Sequence, residues 1–311
     1  MTPTITAVVA AYNAELWIGE ALDAILGQTR PPDEVVVVED GSTDGTAREL
    51  ERFAGAVRIV SQPNAGCPAA FNRAFREASS DYVAMCGADD VWEPHKLEWQ
   101  AETIAAHPEV DVLFGDAIVI GDVRPAGLTE DHYDRPPSVG LLDSRELAEA
   151  LYRGNLICAP SIVIRRRLFE QLGPFVEAFG ADDYDYWMRC LRAGATFFYD
   201  SRAMLSYRRH ESNLSSRLLW MAQCSHDVHR RYADLIEDRA LVRATLASDL
   251  FRIGRGLVDE GSAREARAAF RRSLRYRIDP RALAWIAVLG LPAHARKRTG
   301  AALVRLSRSL A

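Results

Sequence analysis

The chain has 311 residues, 48% of them hydrophobic, and a formal net charge of −5, which suits one large domain with a smaller appendage. No apolar stretch reaches the ~18 residues needed to cross a membrane, and the chain starts on a strand-like run rather than a signal peptide. Its 5 cysteines lack the Cys-x-x-Cys spacing of zinc sites, so we expect reduced, mostly buried thiols in a cytoplasmic protein.

A strand, a helix and a second strand are predicted at the start of the chain. Residues 5–10 form a continuous apolar run, and an amphipathic stretch follows it before a Pro-Pro breaker at 31–32. Residues 35–38 are four consecutive valines, which is typical of a strand buried on both faces. This order predicts a parallel sheet with a right-handed crossover. Neither the Gly-x-Gly-x-x-Gly of dinucleotide-binding folds nor a P-loop follows the first strand, so both of those classes are excluded.

The second strand ends in two acids. Glu39 and Asp40 are followed by Gly-Ser-Thr-Asp-Gly at 41–45, and open α/β sheets bind their ligands at the carboxyl ends of their strands. Taken alone, the segment is equally typical of an ordinary strand-to-helix loop rich in turn residues.

A third predicted strand, residues 82–86, also ends in acids, here Asp89 and Asp90. Adjacent carboxylates disfavour joint ionisation, and a divalent cation would relieve that repulsion. The alternative is that one of them, more readily Asp90, caps the helix predicted to start near Pro94. Further along, Asp182, Asp183 and Asp185 open another predicted helix, where the helix dipole favours carboxylates and where capping is again the simpler role.

Taken together, these segments resemble the family 2 glycosyltransferases of the GT-A fold, which are inverting enzymes that use nucleotide-diphospho-sugars. The resemblance covers residues 5–215, about two-thirds of the chain. In chain order, the matching motifs are Tyr12-Asn13, residues 39–44, the set Asn64, Gly66, Ala70 and Asn72, residues 87–94, residues 182–187, and Tyr207-Arg208-Arg209-His210.

The resemblance implies an α/β fold with a Rossmann-like, doubly wound, mostly parallel sheet over residues 1–215. It implies Asp183 as general base and Mn²⁺ or Mg²⁺ at Asp89, with His210 as a second metal ligand or a phosphate donor. A UDP- or dTDP-linked donor would place its base on Asp40 and its ribose on Glu39. The implied nucleotide-binding residues are Ala11, Tyr12, Asn13, Glu39, Asp40, Asn72, Ala88 and Asp89, with Asp90, Asp182, Arg73 and Trp92 in support.

Three positions depart from the family pattern. Gly87 replaces the first aspartate of the metal motif, Phe71 replaces an arginine thought to face the donor phosphates, and Asp182 replaces a glutamate. Arg73 or the metal would then balance the phosphate charge. Gly87 and Phe71 keep open a non-catalytic, glycosyltransferase-like binding protein. A sugar nucleotidyltransferase is disfavoured because its glycine-rich, Arg-Leu-containing loop is absent after the first strand.

The C-terminal region, residues 216–311, differs in composition and is predicted to be helical. Residues 252–311 carry 14 Lys and Arg against 4 Asp and Glu, a charge of +10, which leaves −15 for residues 1–251. Such a region is typical of contact with an anionic membrane surface, of binding to the acidic part of the same chain or of a second subunit in a homodimer, or of a solvated helical surface. Nucleic acid is the least favoured partner, since the rest of the chain is acidic.

The acceptor side is predicted only in outline. Residues 121–140 are rich in Pro, Gly and Asp and suit a loop over the active site. Residues 155–161, which precede the apolar run 162–164, are expected to form the strand edge that faces the acceptor. The class of the acceptor (glycan, glycolipid or natural product) stays open. We expect a role in cell-surface polysaccharide, glycolipid or natural-product glycosylation, in the cytoplasm or at the inner face of the membrane.

Overall fold

A computed structural model describes residues 2–121, 136, 138–177, 182–211 and 213–291. The chain divides into two compact units. The first comprises the residues up to Leu151 together with Asn155–Asn213, and the second comprises Tyr152–Gly154 and the residues from Leu214 onwards. The expected boundary at residue 215 stays a prediction.

Within the described residues, the first unit contains one nine-stranded mixed sheet. Its strands are β1 (Ile5–Ala11), β2 (Glu34–Glu39), β3 (Arg58–Ser61), β4 (Tyr82–Gly87), β5 (Val91–Trp92), β6 (Val112–Gly121), β7 (Gly140–Leu141), β8 (Val163–Arg165) and β9 (Phe197–Arg209). Their order is β3-β2-β1-β4-β8-β6-β9-β5, and β7 pairs with β9. The first four strands in this order are parallel, whereas β8 runs antiparallel to both of its neighbours.

Helices connect these strands. They are α1 (Ile18–Leu26), α2 (Thr46–Leu50), α3 (Cys67–Glu77), α4 (Lys96–Ala106), α5 (Ser144–Arg153), α6 (Arg166–Leu172) and α7 (Asp182–Arg192). Val8 and Val9 point to opposite faces of β1, and both side chains are 0% exposed. The continuous apolar runs of β1, β2 and β4 follow from this two-sided burial.

The predicted strands at residues 5–10, 35–38 and 82–86 are present as β1, β2 and β4, and the α/β class is confirmed. The strand edge expected at residues 155–161 is not present, because residues 155–158 have no regular structure and Ala159–Ser161 form a short 3-10 helix before β8. The loop predicted over residues 121–140 lies largely outside the described residues.

All regular secondary structure in the described residues of the second unit is helical. Its main helices are α8 (Leu218–Tyr232), α9 (Arg239–Asp259), α10 (Ala263–Ser273) and α11 (Pro280–Leu289). Phe270 of α10 stacks on Trp285 of α11, with a ring-centroid distance of 6.1 Å and an interplanar angle of 11°. Asp238 and Asp279 cap the helices that follow them by accepting backbone N–H groups. In the described part of the chain, no helix has the length and apolarity needed to span a bilayer.

Candidate active site

The loop after β1 is tied to the loop after β2 through Asn13. The Asn13 side-chain oxygen accepts the N–H of Thr43 at 2.8 Å, and the Asn13 N–H donates to Ser42 Oγ at 3.1 Å. Asn13 holds a left-handed backbone with φ of 48°, a conformation that asparagine tolerates better than most residues. Tyr12 beside it remains 48% exposed, so its ring is available to a ligand.

The acids at the end of β2 are engaged with nearby backbone. Glu39 accepts the N–H of Ser42 at 2.6 Å. Asp40 accepts hydrogen bonds from Gln62 Nε2 at 2.7 Å, from the Ala65 N–H at 3.0 Å and from the Gly66 N–H at 2.9 Å. A carboxylate has about four acceptor positions, so Asp40 fixes the 62–66 loop and keeps roughly one position for a ligand.

Asp89, at the end of β4, meets residues that follow β9. Its Oδ2 lies 2.9 Å from His210 Nε2 and accepts from Asn213 Nδ2 at 3.0 Å. Asn213 Oδ1 in turn accepts the His210 backbone N–H at 2.6 Å. The Trp17 ring stacks on the His210 imidazole with a centroid distance of 4.2 Å and an interplanar angle of 16°. The imidazole is therefore held from one face and from its Nε2 end.

Asp90 supports this arrangement from the interior. Its side chain is 1% exposed and accepts the Arg208 backbone N–H at 2.9 Å. Burial, and then the charge of Asp89, raise the pKa of Asp90 well above its usual value. Arg208 donates from Nε to the Asp89 carbonyl at 2.9 Å and pairs with Glu20 at 2.7 Å. The strand end that carries Asp89 is thus fixed through both its main chain and its neighbour.

The residues present fit a divalent cation that is shared with a ligand. Asp89 and His210 lie 2.9 Å apart, close to the ~3 Å between adjacent ligands of an octahedral ion with bonds of about 2.1 Å. Among the described residues, no group of three or more His, Cys, Asp or Glu side chains is arranged to hold a metal. Mg²⁺ and similar ions commonly take one or two protein ligands and complete their shell with substrate phosphates and water.

Asp182 and Asp183 form a half-buried pair in the first turn of α7. Asp183 accepts from Asn155 Nδ2 at 2.9 Å and from the Tyr184 N–H at 2.7 Å. Burial, and then the charge of Asp183, raise the pKa of Asp182 to about 8. Burial also raises the pKa of Asp183, but its two hydrogen bonds oppose that rise. At neutral pH the pair therefore keeps one proton, mainly on Asp182.

The Cys67 thiol, at the start of α3, is affected by all of these acids. Burial raises its pKa well above the usual value, and the charges of Asp182, Asp183, Asp89 and Asp40 raise it further. Carboxylates from two strand ends and one helix start therefore act electrostatically on one half-buried side chain.

Several residues predicted for the site have other roles in the structure. Asn72 is 0% exposed, and its amide is bound to Phe175 and Glu177, so we revise its nucleotide-binding role to one of holding that loop. Arg73 pairs with Glu77 at 2.8 Å on the exposed face of α3. Asp185 is 0% exposed and lies 3.4 Å from Arg189.

Trp92 is a core side chain at 2% exposure, and the Lys96 amine lies 4.0 Å from its ring centroid. Ala11 and Ala88 are 0% and 8% exposed, so any ligand contact there would be made by their main chain.

Three residues with a place in the site were not predicted to act there: Trp17, Glu20 and Asn213. Asn155 was expected on the acceptor side, but its hydrogen bond to Asp183 was not predicted. Each acts through a partner far away in sequence, such as Asn213 with Asp89 or Asn155 with Asp183. Tyr207-Arg208-Arg209-His210 was the one local signal in this region, and it lies next to Asn213 in the chain.

Solved structures share this fold. Residues 1–349 of S. aureus TarS, solved in complex with UDP-GlcNAc, match with a TM-score of 0.64 and 19% identity, over 98% of this chain and 92% of that one. The mannosyltransferase PcManGT of Pyrobaculum calidifontis, in complex with GDP-Man and Mn²⁺, matches with a TM-score of 0.57 and 21% identity, over 98% of this chain and 86% of that one. The molecule thus has the GT-A-like fold of glycosyltransferases followed by a helical region.

The sequence comparisons give the family. The model described as Glycosyl transferase family 2 matches residues 6–173, more than half of the chain. An uncharacterized glycosyltransferase of Rickettsia typhi is 27% identical over 221 residues, which is 70% of this chain and 68% of that one. Another, from Rickettsia felis, is 26% identical over 219 residues, which is 70% of this chain but 36% of that protein. The chain belongs to glycosyl transferase family 2 and is a glycosyltransferase, which confirms the resemblance.

Proposed function

We propose that the chain transfers a sugar from a nucleotide-diphospho-sugar to an acceptor hydroxyl, with inversion at the anomeric carbon. The observation that carries this proposal is the placement of the acids. Asp40 and Asp89 follow β2 and β4, the two strands that flank β1 in parallel, and their charges act with those of Asp182 and Asp183 on Cys67. The acids would supply a carboxylate for the nucleotide, one for a metal and one for proton transfer.

Asp183 is the general base in this proposal. Asn155 and the Tyr184 N–H orient its two oxygens, and Asp182, with a pKa of about 8, retains the proton of the pair at neutral pH. An ionised Asp183 then takes the acceptor's hydroxyl proton while the new C–O bond forms and the nucleotide diphosphate leaves. The single displacement inverts the anomeric carbon.

Asp89 and His210 are the proposed ligands of Mn²⁺ or Mg²⁺. When bound, the ion would act as a Lewis acid for the leaving diphosphate. Asn213 holds the side chain of Asp89, and Arg208 holds its carbonyl, so the protein contributes a preset carboxylate orientation. The Mn²⁺ in the PcManGT complex supports a divalent ion.

A UDP- or dTDP-linked donor fits the nucleotide side. The remaining acceptor position of Asp40 suits the imide N–H of uracil or thymine, Glu39 suits ribose hydroxyls, and the exposed Tyr12 ring suits the base. Solved TarS structures contain UDP and UDP-GlcNAc, which supports a uridine donor, whereas PcManGT contains GDP-Man.

The acceptor is proposed to be a glycan, a glycolipid or a natural-product hydroxyl. A role in polysaccharide or glycolipid synthesis at the cytoplasmic face of a membrane agrees with the free cysteines, of which four are buried, and with the +10 charge of residues 252–311. A homodimer remains a secondary proposal, and we do not propose nucleic acid as a partner.

Calorimetric titration with UDP, with and without Mn²⁺, tests this function. We expect UDP binding to require Mn²⁺ in the wild type. The same should hold for the control variant Asp227→Ala, which changes an exposed aspartate. In Asp89→Ala, we expect either no UDP binding or UDP binding that no longer depends on Mn²⁺. Release of UDP from UDP-sugars in the presence of acceptor alcohols would then support sugar transfer to an acceptor hydroxyl. Metal-dependent binding without turnover across donors would favour the binding-protein alternative, and no nucleotide binding would contradict both.

A further inference from the structure

The end of α10 and the turn after it form a surface with unpaired positive charge. Arg271, Arg272, Arg275 and Arg277 fall within seven residues, and all four side chains are exposed. In the described part of the chain, no carboxylate pairs with any of them, whereas nearby Arg281 pairs with Asp279 at 2.9 Å. The helix dipole favours arginines in the last turn of α10, but it does not account for Arg277 beyond it.

Two exposed aliphatic side chains follow these arginines, one just before α11 and one in its first turns. Ile278 is 79% exposed and Leu283 is 49% exposed. Asp279 is the N-cap of α11, so Ile278 and Leu283 occupy the N′ and N4 positions, which adjoin one another in a hydrophobic staple. Single exposed aliphatic residues are common, but here two of them share the short segment 271–283 with four arginines that have no carboxylate partner among the described residues.

We propose that this arginine surface, defined as Arg271, Arg272, Arg275, Arg277, Ile278 and Leu283, docks on an anionic lipid bilayer. Headgroup phosphates would pair with the guanidinium groups, and Ile278 and Leu283 would enter the apolar boundary beneath them. A bilayer supplies both anions and apolar depth without a matched geometry. An acidic protein would need four placed carboxylates around an apolar pocket.

Flotation with large unilamellar vesicles tests the docking on the full chain. Vesicles of phosphatidylcholine alone are compared with vesicles containing about one-third phosphatidylglycerol, an anionic lipid. We expect the wild type to bind only the anionic vesicles, and salt to weaken the binding as the Debye length shrinks from about 10 Å at 0.1 M to 3 Å at 1 M.

The charge-reversed variant Arg275→Glu/Arg277→Glu should lower vesicle partitioning by at least about 25-fold, since each basic residue near the surface contributes about fivefold. The matched control Arg230→Glu/Arg264→Glu makes the same change in net charge at exposed positions of α8 and α10, and it should lose much less. Ile278→Ser should weaken binding while leaving its salt dependence in place.

Equal losses in both charge-reversed pairs would overturn the proposal in favour of diffuse attraction. The proposal would also be overturned if the wild type did not bind anionic vesicles. Self-association of the wild type at low salt, measured by light scattering, would overturn it as well and would indicate that the arginine surface binds a second copy of the chain. The membrane proposal rests on the proposed function only in assuming a membrane-borne acceptor. Vesicle binding is measured without donor or turnover, and UDP titration of the same variants measures the donor site. Failure of membrane docking can therefore be distinguished from failure of the proposed transferase function.

Discussion

Substituting Asp182 with asparagine tests the electrostatics of the acid pair in α7. Burial and Asp183 raise the pKa of Asp182 from 3.8 to about 8 in the folded protein, while the unfolded chain keeps the ordinary value. Below about pH 4 both states are protonated. Between pH 4 and 8 the folded state retains a proton that the unfolded state has lost, so the stability of the wild type falls progressively as pH rises and levels off above 8.

Asparagine resembles the protonated carboxyl and lacks this pH-dependent penalty. A shift of about 4 units corresponds to at most roughly 6 kcal/mol at about 1.4 kcal/mol per unit. Because Asp182 is only half-buried, water screens the charge, and we take about 1–2 kcal/mol as the gain in unfolding free energy. At about 2–4 °C per kcal/mol, the Tm of Asp182→Asn should exceed that of the wild type by about 2–8 °C at pH 9.

Scanning calorimetry from pH 4 to pH 9 in EDTA measures this difference without any ligand or metal. The Tm difference should be near zero at pH 4, grow up to pH 8 and then stay level. Asp227→Asn, an exposed aspartate of α8, should show no comparable trend. A Tm difference that is constant with pH, or a variant less stable than the wild type at pH 9, would refute the shared-proton description of this pair.

Three further outcomes are expected. Asp183→Asn should keep UDP affinity but slow transfer by about 10²–10⁴-fold, the usual contribution of a general base. If Asp183→Asn turned over like the wild type while Asp182→Asn was folded but inactive, the general base would be Asp182 instead. Asp89→Ala should abolish divalent-cation-dependent turnover. Asp90→Asn should keep a measurable fraction of that turnover, because its amide oxygen can still accept the Arg208 N–H. Equal losses of turnover in the two variants would contradict the assignment of Asp89 as metal ligand and Asp90 as its support. Trp17→Ala should weaken Mn²⁺-dependent UDP binding by about tenfold, because the His210 imidazole would lose the ring that stacks on it. Trp17→Phe should restore the binding. Unchanged UDP titration of Trp17→Ala would show that the stacking does not orient His210 for metal binding.

The parts of the fold that were predictable are those in which one local pattern has one structural meaning. The four valines at 35–38 are apolar because β2 is buried on both faces, so the pattern and the strand coincide. The two-residue strands β5 and β7 have no periodicity of their own and exist through their pairing with β9. The apolar run 162–164 overlaps strand β8, but the place of β8 in the interior of the sheet depends on contacts with β4 and β6 that no local run of residues encodes.

The site divides in the same way. Acids at strand ends and at a helix start can be recognised as candidate site residues in the sequence, because turn and strand patterns lie beside them. Their partners do not, since the hydrogen bond from Asn213 to Asp89 joins residues 124 positions apart and that from Asn155 to Asp183 joins residues 28 apart. Asn72 shows the opposite case. Its motif is local, but its amide is bound to the 175–177 loop, 103 residues away or more.

Gly87 shows how a departure from a motif changes meaning once the structure is known. As a missing carboxylate, it suggested a weakened metal site. A Cβ at this position would lie 2.5 Å from Asp90 Oδ2 and 2.8 Å from Asp89 Oδ1, so the two remaining carboxylates fill the space that a larger side chain would take. Asp89 is directed instead to His210 and Asn213. Glycine at position 87 is therefore compatible with the proposed site, in which Asp89 would be the single carboxylate ligand of the metal.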